Sequence, residues 1–150
     1  MLVLAALPVL AAVPARAETP AAFCARIVND DALRPIPQSL VKAANAALGV
    51  TMPPDMAMKA TVFRCGNGHV LVCTVGANLV CGRANTSRTP GPGQIDWCRE
   101  HPNDAFIPAE ATGHDTIYAW RCADGAPRID RQTLDVDARG FIVQNWKLLP

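Results

Sequence analysis

The sequence predicts an α+β fold: a small antiparallel sheet stapled by disulfides, with an N-terminal helix packed on it. Three observations carry this reading. Asn67-Gly68 separates two β-rich runs, and a tight type I′ turn needs positive φ at both central positions, which Asn and Gly tolerate. The six cysteines, Cys24, Cys65, Cys73, Cys81, Cys98 and Cys122, form an even set suited to disulfides in an oxidising compartment. Residues 37–48 place Leu40, Val41, Ala44, Ala47 and Leu48 on one helical stripe, with Pro37 in the first turn and Gly49 as a stop. The alternative architecture is an all-β barrel with a helical extension.

The elements follow in chain order. An apolar run from Leu2 to Val13 leads to Ala15-Arg16-Ala17, a small-any-small pattern that suits signal peptidase. This predicts a signal peptide over 1–17 and a single disulfide-rich globular domain over 18–150, periplasmic or secreted. The run is shorter than the ~20 residues a membrane span needs, and no transmembrane span is expected in the mature chain. Of 14 basic residues Arg16 falls in the leader, and the rest balance the 13 acidic ones. Balanced charge argues against a nucleic-acid partner or an anionic membrane surface. A short helix is expected around Phe23 and Cys24, then a loop through Pro35 and Pro37, then the helix over 37–48. Thr51 to Lys59, with Met52, Met56, Met58 and Pro53-Pro54, reads as a linker into the first strand.

The hairpin at Asn67-Gly68 dictates a register. Cys65 then faces Val70 and Cys73 faces Val62, so the two sulfurs leave the ribbon on opposite faces and do not pair. Cys73 and Cys81 can meet across a loop centred on Ala77; the partners of Cys24, Cys65, Cys98 and Cys122 stay open. A third strand is expected after Cys73, then a polar loop over 82–93 and a helical turn around Ile95 to Cys98. Strand character resumes at Thr116 to Cys122, turns at Asp124-Gly125 and continues through Pro127 to Asp130. A last hairpin is expected from Gln132–Val136 and Phe141–Trp146, closed by 137–140 with Gly140 left-handed. Trp120-Arg121-Cys122-Ala123-Asp124-Gly125 echoes Phe63-Arg64-Cys65-Gly66-Asn67-Gly68, which is read as shared turn chemistry rather than a repeat.

Several constellations bear on chemistry. Cys65-x3-His69-x3-Cys73 with Cys81 has the residue types of a metal site, but thiolate ligands must be reduced, and the compartment favours disulfides. Met52, Met56 and Met58 with His69 offer soft ligands for copper, against the plainer role of filling gaps. No metal or other cofactor is therefore expected. For catalysis the candidates are His114 with Asp115, and further His101, Glu100 and Glu110; adjacent residues of a strand point to opposite faces, so Asp115 orients His114 only if the chain turns there. No Gly-x-Ser-x-Gly elbow is present. The expected recognition surface is the polar loop 83–88, with Arg83, Asn85 and Arg88, together with 106–114 and His114, because loops on a stapled scaffold bind at low ordering cost.

With Arg-Cys-x-Asn-Gly at 64–68, Cys73-Thr-Val-Gly-Ala, Asp96-Trp97-Cys98, Phe106-Ile-Pro-Ala, Thr112-Gly-His-Asp-Thr-Ile-Tyr and Asp137-Ala-Arg-Gly-Phe, the chain resembles a group of short exported proteobacterial proteins without assigned function. The resemblance covers most of 60–147. Phe63-Arg64-Cys65-x-Asn67-Gly68 also resembles the periplasmic inhibitors of c-type lysozyme, although their Ser-Gly inhibitory loop is absent here. The expected function is a small exported binding or interaction module of the bacterial cell envelope, its partner an envelope protein or small ligand. The alternatives are an envelope hydrolase using His114 with a carboxylate and a periplasmic metal-handling protein.

Overall fold

The computed structural model describes residues 17–76 and 79–150. The leader reading therefore lies outside the described residues except for Ala17, as does Ala77. Two helix-and-hairpin units follow one another, each with its own disulfide. In the first, α1 (Pro20–Ile27) is capped by the Thr19 hydroxyl accepting from the Ala22 amide and starts with a proline at N1. Then come β1 (Asp30–Pro35), a 3-10 turn (Gln38–Leu40), α2 (Val41–Leu48), α3 (Pro54–Ala60), β2 (Thr61–Gly66) and β3 (His69–Thr74). The second unit has α4 (Pro92–Glu100), α5 (Ala109–Thr112), β4 (Tyr118–Ala123) and β5 (Ala126–Gln132). A 3-10 turn (Val143–Asn145) and β6 (Lys147–Leu148) close the chain.

The fold is mixed α+β, with antiparallel sheets in the order β1-β2-β3-β6 and β4-β5. Both sheets are open, so the barrel alternative does not hold. Among the described residues no helix is long and apolar enough to cross a membrane.

The predicted hairpin register is present, with Cys65 opposite Val70 and Cys73 opposite Val62. Asn67 and Gly68 both take positive φ, 52° and 81°. The disulfides are Cys24–Cys65, Cys73–Cys81 and Cys98–Cys122. The stripe of α2 lies in the main core: Val41 and Ala44 are buried with Ile36, Ala57, Phe63, Val70 and Val72, and Leu40, Ala47 and Leu48 pack around them. Gly49 ends α2 in the left-handed region at φ 67°.

Several expectations are corrected. The 51–59 linker contains α3, because Pro54 at N1, Asp55 in the first turn and Lys59 in the last suit a helix, and Ala57 buries completely. The segment around Pro35 is an edge strand, β1, where proline is tolerated. Among the described residues no strand stands between β3 and α4; Gly76 and Leu79 make an isolated bridge, and the Cys73–Cys81 disulfide closes the chain back on β3. The turn at 95–98 is a nine-residue helix, α4, nucleated by Pro92 and by the Gln94 side chain accepting from the Gly91 amide. The last hairpin shrinks to a bridge between Val136 and Ile142; Gly140 is left-handed as expected, at φ 86°, but Phe141 and Trp146 leave the ladder to bury against Arg64.

The echo is a repeat of structure, and it extends well beyond six residues. Asp124 and Gly125 adopt φ 52° and 75°, matching Asn67 and Gly68. The cysteine two residues before each turn is bonded to a helix that begins with proline: Cys65 to Cys24 in α1, Cys122 to Cys98 in α4. From these cysteines the chain continues in both units as Cys-x4-Asn-Asp, past the helix end to Asn29-Asp30 and Asn103-Asp104. The Asn29 carboxamide oxygen accepts from the Asn67 amide at 3.0 Å, and that of Asn103 from the Asp124 amide at 3.2 Å. The preceding carbonyls, of Val28 and Pro102, accept from the turn glycines Gly68 and Gly125 at 2.7 and 2.9 Å. Each unit then runs an extended segment to a buried isoleucine, Ile36 or Ile107, followed by a proline that caps a helical turn, Pro37 at ψ 159° or Pro108 at ψ 162°. Sequence comparison missed this because 36 residues separate Asn29 from Cys65 in the first unit and 19 separate Asn103 from Cys122 in the second: the extra length is the second and third helices.

An ionic cluster ties the first unit to the rest. Arg64 is 2% exposed, pairs with Asp137, and its guanidinium lies over Phe141 at 4.0 Å and Trp146 at 4.7 Å. Asp31 takes Arg139 and Arg83, and Asp30 takes Arg34. The hydrogen bond from Arg139 holds the Asp31 carboxyl below its ordinary range, and the backbone amide of Ala32 does the same for Asp30. Burial pushes the Asp137 carboxyl up, but the Phe141 amide, Arg64 and the Arg139 amide together outweigh it, and the net direction is down.

Candidate functional site

The second unit presents two adjoining concave surfaces. Their position follows from how the polar loop 83–91 is laid down. The Asn85 side chain accepts from the Ser87 amide, and the Ser87 hydroxyl accepts from the Thr89 amide, so the loop closes on itself through local bonds. Its backbone is pinned to the 115–117 segment: the Asn85 amide donates to Asp115 O at 2.8 Å and the Ile117 amide to Asn85 O at 3.3 Å. Two stretches thirty residues apart are thereby placed side by side.

Between them α5 ends at Gly113, φ 85°, and comes close to the start of α4. A Cβ at Gly93 would lie 2.6 Å from the Ala111 carbonyl oxygen, so only glycine permits that approach. The result is a pair of adjoining grooves. One, of about 470 Å³, is lined by Phe106, Thr112, His114, Tyr118, Asp130 and Arg131 among others. The other, of about 380 Å³, is lined by Asn85, Ser87, Thr89, Gly91 and Gln94. Thr112, Gly113, Thr116 and Trp120 belong to both. The shared wall is held by the Thr116 hydroxyl, which accepts from the Tyr118 amide at 3.3 Å and from Trp120 Nε1 at 3.4 Å. Phe106 stands at the rim, 62% exposed.

Of the residues singled out in the sequence, Asn85 and His114 line these grooves, one in each. Arg88 lies over the Tyr118 ring at 5.5 Å, beside the first. Arg83 is engaged elsewhere, with Asp31 at 2.7 Å and over Phe141 at 5.6 Å. His114 is exposed and, among the described residues, hydrogen-bonds to no carboxylate; the Asp115 carboxylate sits against Gly113, where a Cβ would be 2.8 Å from Oδ1. His101 stacks on Trp97 at 4.3 Å and its Nδ1 bonds Trp97 O, a structural post at the end of α4.

All six cysteines are bonded, which removes the thiolates a Cys65/Cys73/Cys81 metal set would need. Met52 and Met58 pack on the main core, while Met56 is exposed. Among the described residues no three His, Cys, Asp or Glu side chains converge as a metal site would require. The groove residues that sequence reading missed include Thr116 just before the hairpin, Trp120, Asp130 and Arg131 on it, and Gly91 to Gln94 at the start of α4. Nothing in the linear pattern marks them, because the Asn85–Thr116 bridge, the β4–β5 pairing and the close approach of Gly93 to Ala111 together bring them into one place.

No family model, curated protein or solved structure matches the chain.

Proposed function

We propose that this chain is a small exported binding module of the bacterial cell envelope that holds its ligand in the twin grooves around Gly113. The observation that carries the reading is the backbone bridge between Asn85 and Thr116, which turns two remote polar segments into one concave surface. Each groove has the volume of a small-molecule site, and their walls combine hydroxyls and amides with aromatic faces, as a ligand of mixed polarity requires. Three disulfides support both the oxidising compartment and the rigidity that lowers the ordering cost of binding. Hydrolysis through His114 draws less support, since among the described residues His114 hydrogen-bonds to no carboxylate.

The test is titration of isotope-labelled protein with soluble peptidoglycan fragments and with a small-molecule extract of the envelope, followed by NMR. Saturable shifts centred on Thr112–Thr116 and the Trp120 indole are expected, weakened roughly tenfold by Phe106→Ala or His114→Ala. Absence of any saturable shift, or shifts that both variants leave unchanged, would sink the reading.

A further inference from the structure

We infer that the outer face of the β4–β5 hairpin, with the open edge of β5, docks an extended peptide segment of a partner protein that carries carboxylate and aromatic side chains. This surface lies nearer the hairpin turn than the grooves and does not depend on them. The first unit, the other copy of the repeat, shows how the molecule treats the same surface.

In the first unit the outer face is covered by the chain's own 137–149 segment. Asp137 pairs with Arg64, Phe141 and Trp146 lie against its guanidinium, β6 joins the edge of β3 at Leu71 and Val72, and the Leu149 amide donates to Val70 O at 2.9 Å. Arg121 is the counterpart of Arg64 by its place before the disulfide cysteine and the turn. Among the described residues no segment covers its face in this way, and Arg121 is exposed.

The charges there are unresolved. Arg128 stands directly opposite Arg121 in the ladder and is also exposed, and neither takes part in any ion pair among the described residues. Two like charges facing each other across a sheet oppose pairing of the strands. Two guanidinium forks carried at paired positions of a stapled ribbon suit bidentate carboxylates.

The edge is open in the same sense. The sheet of the second unit contains only β4 and β5, so no described strand occupies the place that β6 fills beside β3. Pro127 is the counterpart of Val70. It retains the carbonyl that Val70 offers to Leu149, while its missing amide and the flanking arginine discourage indiscriminate edge pairing. Strand addition supplies main-chain bonds, and the arginine pair supplies the selection for acidic side chains.

The probe is a fluorescently labelled synthetic peptide of residues 135–150, which carries the covering chemistry of the first unit, titrated with the intact protein by anisotropy. Saturable binding is expected, weakened at least about tenfold by Arg121→Glu or Arg128→Glu, and abolished in molar salt, where screening acts within about 3 Å. Thermal melting of the two variants confirms that they fold. Absence of saturable binding overturns the proposal. So does binding that both variants leave unchanged, since the peptide then exchanges with the chain's own segment. A dimer of the free protein dispersed by the same variants also overturns it, since a second copy then covers the face. Phe106→Ala and His114→Ala should leave peptide affinity unaltered, so failure here and failure at the grooves are separately visible.

Discussion

The hairpins of the two units share a turn, a disulfide to a preceding helix and a bonded asparagine, yet their arginines live in opposite surroundings. Arg64 is enclosed by Asp137, Phe141 and Trp146, whereas Arg121, at the matching place, meets solvent and a second arginine. The local motif builds the ribbon in both cases; what lies over the ribbon comes from elsewhere in the chain. One copy has been made into core and the other left as surface.

The strongest way to break this comparison is at the staples. Replacing Cys24 and Cys65 together by Ala should cost about 4 kcal/mol, and Cys98 with Cys122 about 3.5 kcal/mol, because the closed loops span 41 and 24 residues. Denaturant unfolding of the two double variants checks the order; equal or reversed losses would mean that the staples act through native packing rather than loop closure. Next comes the arginine pair. Arg64→Ala should lose about 3 kcal/mol, since it strands Asp137 and empties the space against two aromatic rings, while Arg121→Ala should stay within about 0.5 kcal/mol. Comparable losses at both positions would erase the distinction between core and surface.

The smallest effect is in pH. Asp30, Asp31 and Asp137 all have folded carboxyl groups held below the ordinary value of 3.8. Groups depressed in this way contribute stability that is complete above that value and fades as pH falls through the folded values. Acid should therefore loosen first the Arg64–Asp137, Arg83–Asp31 and Arg139–Asp31 pairs that tie the first unit to the rest, and hydrogen exchange at the Phe141 and Arg139 amides below the ordinary value reads it. Unchanged protection there would remove the cluster from the account.

Some of this was legible in the residues alone. Asn67-Gly68 specified its own turn, and the period-2 geometry of strands then placed Cys65 and Cys73 on opposite faces, which excluded one disulfide and allowed Cys73–Cys81. The α2 stripe and its glycine stop were equally local. β1 and α3 were obscured by prolines, which read as breakers until an edge strand or a first helical turn accommodates them. Asn85 and His114 were identifiable as polar loop residues, but Thr116 and Trp120 enter the grooves only through long-range pairing.

Sequence by itself determined the turns, the alternation and the helical faces, because these depend on φ preferences and side-chain spacing within a few residues. Tertiary structure alone decided that Cys24 meets Cys65 and Cys98 meets Cys122, that the six-residue echo is a full unit, and that only one of its two faces is covered. Those outcomes depend on which distant segments share one core, and spacing along the chain carries no record of it.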